Sequence, residues 1–178
     1  LNIHYPGLQN KIIYGDFLKV NIPELLNLQK DEQFAVIGNF PYNISSQILF
    51  KIIEHRQSVP EMVGMFQKEV AERVAAKHGN KTYGILSVIS QAYYDIEYLF
   101  TVHEHVFSPP PKVKSAVIRI SRKGKAPECS EGTLFRLVKT AFNQRRKTLR
   151  NALKPMNIKT GIIDESILNK RAEQLSVN

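Results

Sequence analysis

The tetrapeptide Asn39-Phe40-Pro41-Tyr42 is the part of this sequence whose residue types and spacing point most directly to chemistry. The exocyclic amine of adenine is a poor nucleophile, because its lone pair is delocalised into the ring. A site that makes it react needs two acceptors for the amino hydrogens and an aromatic face for the base. The motif supplies all three: the Asn39 side-chain oxygen, the main-chain carbonyl of Phe40 or Pro41, and the Tyr42 ring. The same residues also describe an ordinary turn from strand to helix, with Pro41 fixing φ and Asn39 capping. Phe107 is a second candidate plate, since a base taken out of its stack is best held between two aromatic surfaces. Pro109, Pro110 and Pro111 would stiffen the loop that presents it, and the alternative is a core aromatic at a strand end. No nucleophile paired with a base is evident, and none is needed if the amine attacks directly. His103 and His105 share a strand face without a third ligand, so no metal is expected. Glu69 and Glu72 with Lys68 and Arg73 read as a helix-surface network rather than acid and base catalysts.

The elements that would position these residues alternate. Lys11 to Phe17 reads as a short strand ending at the Gly15-Asp16 turn, and Ile22 to Leu28, opened by Pro23, as a short helix. Phe34 to Gly38 is a continuous apolar run, expected as a central strand buried on both faces of a parallel sheet. From Ser45, Ile48, Leu49, Ile52 and Ile53 fall on one face of a helix ending near His55. Met62 to Phe66 is a strand, and Val70, Val74 and Ala75 mark a helix that fades at Lys77. Tyr83 to Tyr93 follows as a helix, then strands at Ile96 to Val102 and Val117 to Ile120. The pattern is that of an α/β sheet.

Beyond Arg122 the pattern changes to a Gly/Lys/Pro linker and then helices. Ser130 caps a helix bearing Leu134, Leu137, Val138, Ala141 and Phe142. A basic helix over Gln144 to Lys154, stopped at Pro155, and a last one around Glu165 to Ala172 complete the chain. The domains expected are 1–122 and 123–178, divided near Lys123 to Pro127. Charge follows this division: residues 1–107 hold nine Lys/Arg and eleven Asp/Glu, whereas residues 108–178 hold sixteen and five. Such a basic footprint suits a polyanion, nucleic acid above all, although a solvated basic face is the plainer alternative. In the expected basic helix, Lys147, Arg150 and Lys154 share one side, with Leu149, Ala152 and Leu153 on the other. With Arg145, Arg146, Lys112 and Lys114 they would make a track for structured RNA. The apolar runs are far too short to span a bilayer, and Cys129, the lone cysteine, reads as inert in a cytoplasmic protein.

Asn39 to Ser45 resembles the Asn-Leu-Pro-Tyr-Asn-Ile-Ser motif of the dimethyladenosine transferase family, with Phe40 as a conservative departure. Segments at Gln67 to Arg73, Phe107 to Val113, Phe142 to Arg150 and Arg171 to Ser176 are similar to further family segments in the family's order. The resemblance implies a class I, Rossmann-like methyltransferase sheet, incomplete at the N-terminus, with a small C-terminal all-helical domain. It implies transfer of methyl groups from S-adenosylmethionine to the N6 amines of two adjacent adenines in small-subunit ribosomal RNA. By resemblance Asn39, Pro41, Tyr42 and Phe107 are catalytic, Phe107 facing Tyr42 across the base. Asp16 and Phe17, with Asn39, would face the methyl donor, Asp16 accepting from the donor's adenine amine. The implied partner is the immature small ribosomal subunit, and the intact enzyme is expected to be a monomer.

A donor site of this class needs a Gly-x-Gly loop after the first strand and an acidic residue after the second. Neither occurs here, so the chain is expected to be a fragment, inactive alone and a poor binder of S-adenosylmethionine. Two rivals stay open: a macrolide-resistance-type methyltransferase of large-subunit RNA, and a non-enzymatic RNA-binding assembly factor.

Overall fold

Period-two burial sets the strands of this protein, whose computed structural model describes residues 6–8 and 11–177. A short helix, α1 (Ile22–Leu25), carries Pro23 in its first turn and precedes β1 (Val36–Asn39). The amphipathic helix α2 (Ser45–Glu54) leads to β2 (Glu61–Gln67), in which Met62, Gly64 and Phe66 are buried and the residues between them are half-exposed. Helices α3 (Lys68–Ala75) and α4 (Ile85–Tyr93) follow, then β3 (Tyr94–Val102) and β4 (Ser115–Arg122). The sheet order is β1-β2-β4-β3, with β1 parallel to β2 and β4 antiparallel to both its neighbours.

Leu49, Ile52 and Ile53 of α2, Ala71 and Val74 of α3, and Ile89 of α4 join Met62, Phe66, Ile118 and Ile120 in one core. Tyr94 is wholly buried in it, its hydroxyl donating to the Val59 carbonyl at 2.9 Å, and burial pushes its pKa up to about 12. The alternation of strand and helix thus has the expected α/β form.

Two expectations at the N-terminal side are corrected. The Phe34 to Gly38 run is not a central strand buried on both faces: β1 is an edge, and Ile37 is 87 % exposed. Its apolar composition is that of a covered strand, yet among the described residues only β2 pairs with it. Lys11 to Phe17 is not a strand either. A strand needs a ladder, and no described segment supplies one to it. The chain instead turns at Asp16, whose carboxylate accepts from Leu18 N at 3.0 Å and meets Lys19 Nζ at 3.6 Å. Buried Lys51 then ties the segment to α2, its ammonium donating to the carbonyls of Leu18, at 2.9 Å, and Val20.

In the C-terminal part Ser130 caps α5 (Glu131–Asn143), accepting from Thr133 N at 3.3 Å. Val138, Ala141 and Phe142 pack into the same core as the sheet. The continuous basic helix from Gln144 to Lys154 is a further correction. Gln144 leaves the helical region (φ −121°, ψ 55°) and Thr148 is extended (φ −65°, ψ 158°), so α6 spans only Leu149–Ala152. A tighter turn at Lys154–Met156 succeeds it, with Pro155 unable to donate to a longer helix. Leu149, Ala152 and Leu153 are buried as the periodicity implies. The last helix is likewise shorter: α7 spans Glu165–Leu168, capped by Asp164, and a 3-10 turn covers Ala172–Gln174.

Candidate active site

Asn39 is the last residue of β1 and pairs with Met65 of β2, so the sheet delivers it to the end of the strand pair. The turn that follows is pinned by main-chain bonds: Phe40 N donates to Met65 O at 3.3 Å, and Ile44 N to Pro41 O at 3.2 Å. Phe40 folds its ring back over Gly38 and Gly64, which are partners across the β1/β2 ladder, and meets Phe66 at 5.4 Å between ring centroids. A Cβ on Gly64 would lie 2.4 Å from that ring, so the glycine makes room for the aromatic residue. Tyr42 is held at both ends. Its carbonyl accepts from the hydroxyl of buried Ser45 at 3.0 Å, and its phenol is hydrogen-bonded to the hydroxyl of Ser115, the first residue of β4.

The second wall comes from the loop between β3 and β4. A 3-10 turn over Glu104–Val106 ends at Phe107, and the Ser108-Pro109 bond is cis. Asn39, Phe40, Pro41, Tyr42, Phe107, Pro109 and Pro111 together line an open cavity of about 370 Å³. That is within the range of sites that hold small ligands. The structure therefore brings Asn39, Pro41, Tyr42 and Phe107 to one place, although 65 residues separate Tyr42 from Phe107 in sequence. The cavity offers an amide oxygen, main-chain acceptors and aromatic faces, the inventory for gripping a flat base by its amine edge.

Asp16 and Phe17 do not line this cavity. The Asp16 carboxylate is taken by its own turn, and Phe17 lies 5.8 Å from the Lys51 ammonium.

Lys112 and Lys114 are exposed on the loop that joins Phe107 to β4, and the Lys114 carbonyl accepts from Lys68 N at 2.9 Å. Arg146 and Lys147 are exposed in the turn after α5. Arg145 reaches back to the carbonyls of Lys81 at 2.8 Å and Tyr83 at 3.0 Å, and Arg150 pairs with Glu165.

Two features were not legible in the sequence. Ser115 carries no motif, and its contact with Tyr42 spans 73 residues. Arg73 and Lys81 lie in the acidic half of the chain, yet with Arg145 they wall a groove of about 580 Å³.

A family model described as ribosomal RNA adenine dimethylase matches residues 5–177. The chain belongs to this family. The ribosomal RNA small subunit methyltransferase A of Cytophaga hutchinsonii is 59% identical, covering 97% of this chain and 66% of its own length. The protein of the same name from Flavobacterium johnsoniae is 58% identical over 99% of this chain and 67% of its own. The chain thus spans about two thirds of the length of the curated relatives it matches. A dimethyladenosine transferase from Plasmodium falciparum superposes with a TM-score of 0.79 at 26% identity, covering 99% of this chain and 72% of that one. The 23S rRNA methyltransferase ErmE superposes with a TM-score of 0.62 at 22% identity, a likeness of fold alone. The sheet and its helices accordingly have the class I methyltransferase fold that members of the ribosomal RNA adenine dimethylase family share.

Proposed function

We propose that this chain carries the target-base pocket and the RNA-docking module of a small-subunit ribosomal RNA adenine N6-dimethyltransferase. The convergence of Asn39, Pro41, Tyr42 and Phe107 on one cavity supports the reading most strongly. The names of the relatives support the RNA: both are small-subunit methyltransferases. S-adenosylmethionine is the donor in this reading and supplies an electrophilic methyl group.

The chain's own residues act on the acceptor. The Asn39 side-chain oxygen takes one amino hydrogen of adenine. The Pro41 carbonyl already accepts from Ile44 N, which favours the Phe40 carbonyl for the other. Accepting both hydrogens holds electron density on the nitrogen and favours a pyramidal amine whose lone pair is withdrawn from the ring's π system. Tyr42 and Phe107 hold the base between them and keep it out of the RNA stack. With the donor bound, the amine held at Asn39 would take its methyl group, the carbon–sulfur electron pair would leave with sulfur, and the nitrogen's proton, acidic only once the new bond forms, would pass to solvent. No buried base is required. A second transfer to the same nitrogen, its one remaining hydrogen held by one of the two acceptors, and the same two transfers on the neighbouring adenine would give the two dimethylated bases.

Of the residues assigned to the donor, Asn39 lines the cavity, whereas Asp16 and Phe17 lie outside its lining. Residues 123–178 form the docking module in this reading. Exposed Arg146 and Lys147 meet phosphates of immature small subunits in the cytoplasm, and Lys112 and Lys114 flank the base pocket. The intact enzyme acts as a monomer.

Incubating the full-length gene product with labelled S-adenosylmethionine and either immature small subunits or large-subunit RNA tests this. Label is expected in adenines of the small subunit alone. Label confined to large-subunit RNA, or none in either, would overturn the proposal.

A further inference from the structure

We propose that Ser115 is a positioning residue for the target base, fixing the Tyr42 ring at the distance from Phe107 that a stacked base requires. The inference rests on the base-holding reading of the cavity and goes beyond it by naming what sets the gap between its two plates.

Ser115 is fully buried, and its hydroxyl is hydrogen-bonded to the Tyr42 phenol. A buried hydroxyl must find a partner, and here the partner is a half-exposed loop side chain rather than a core group. The anchor is rigid. Ser115 opens β4, which lies between β2 and β3, and it stands in register with Gln67 on one side and Val102 on the other. The preceding carbonyl, of Lys114, accepts from Lys68 N at 2.9 Å. Tyr42, by contrast, stands on the turn between β1 and α2. Its main chain is held by Ser45, and the far end of its ring by Ser115.

The same strand start also carries the other plate. The chain from Phe107 to Ser115 is a single short loop stiffened by Pro109, Pro110 and Pro111. Ser115 therefore ties the Tyr42 ring to the start of the strand onto which the Phe107 loop runs. Without it Tyr42 keeps its main-chain position but its ring is free to change rotamer. A base would still enter, but it would be gripped loosely, with its amine away from Asn39 for much of the time. Small misplacements of a reacting atom cost rate more than affinity.

The test uses the full-length protein, with Ser115→Ala, Ser115→Thr, Tyr42→Phe and the Ser115→Ala/Tyr42→Phe double variant. RNA with 2-aminopurine at the target position of a flexible single-stranded segment, where the free probe is unstacked and bright, reports stacking on the aromatic plates through quenching of its fluorescence. In the wild type the probe should be quenched on binding. Ser115→Ala and Tyr42→Phe should each lose a large part of that quenching and lower kcat about tenfold, with KM for RNA within about twofold. Ser115→Thr should recover most of both. Because the two single variants remove the same bond from opposite ends, the double variant should be no worse than either. Tyr42→Phe also guards against a folding defect at the buried serine, since it leaves β4 unaltered. Unchanged quenching in Ser115→Ala, or additive losses in the double variant, would overturn the role of Ser115 alone. Absence of quenching in the wild type would overturn the base-holding reading, and this inference with it.

Discussion

Arg145 and Arg146 are exposed neighbours in a basic cluster and differ in what they touch. Sequence reasoning grouped them as phosphate contacts, because a run of cations carries no mark of which member is spent on the fold. Arg145 donates to two main-chain carbonyls in the loop before α4, so it clamps the turn after α5 onto the sheet half of the chain. Arg146 is exposed. Arg145→Ala should therefore destabilise the protein by about 1–3 kcal/mol in denaturant titration, the range for losing charge-assisted bonds to carbonyls. Arg146→Ala should stay within about 0.5 kcal/mol. Equal stability of the two variants would contradict the clamp. The motif residues, by contrast, were readable because Asn39, Pro41 and Tyr42 sit side by side and their side-chain types specify an acceptor, a fixed turn and a plate. Ser115 was not readable, since a serine before a strand has no distinctive pattern and its partner is remote in sequence.

At the scale of elements, periodicity located β2, α2, α3 and α5 to within a few residues, because each buries one face against the same core. What it missed depends on neighbours. An apolar run such as Phe34 to Gly38 states that a strand can be covered, and not that it is, and β1 turned out to be an edge. The length of α6 was set by the backbone at Gln144 and Thr148 rather than by the spacing of its apolar residues. A close fit between elements is at the β1/β2 ladder, where the Phe40 ring occupies the space above Gly38 and Gly64. A methyl group on Gly64 would meet both Phe40 and Phe66, at 2.4 and 2.8 Å. Gly64→Ala should thus cost about 1–3 kcal/mol by overpacking and, by pushing Phe40, shift the Asn39–Tyr42 turn and reduce methylation. Gly132→Ala is the control: it lies in the first turn of α5 with nothing within 4 Å of an added Cβ. It should be neutral or stabilising by up to about 1 kcal/mol, with activity unchanged. A Gly64→Ala protein with wild-type stability and turnover would show that the Phe40 contact does not position the site.

Over the whole molecule, charge and chemistry are divided. The excess of cations lies after residue 107, with sixteen Lys/Arg against five Asp/Glu, while the candidate base pocket is lined by uncharged groups. The sequence showed that asymmetry, but not that Arg73 and Lys81 on the sheet side would line one groove with Arg145 and with Glu69, which pairs with Arg73. On this division, removing the acceptor at the pocket and removing phosphate contacts have opposite signatures. Phosphate contacts release counterions and set the salt dependence of binding, whereas a contact made to the reacting amine acts on turnover. The most direct measurement compares Asn39→Ala with Arg146→Ala/Lys147→Ala in the full-length protein, following single-turnover methylation and RNA affinity across a salt series. The account predicts that Asn39→Ala lowers turnover by about 10²–10³-fold with the wild-type salt slope, and that the double variant weakens binding and flattens that slope by about 1–2 units. An Asn39→Ala enzyme that turned over at a rate comparable to wild type would contradict the assignment of this cavity as the place where the adenine amine reacts.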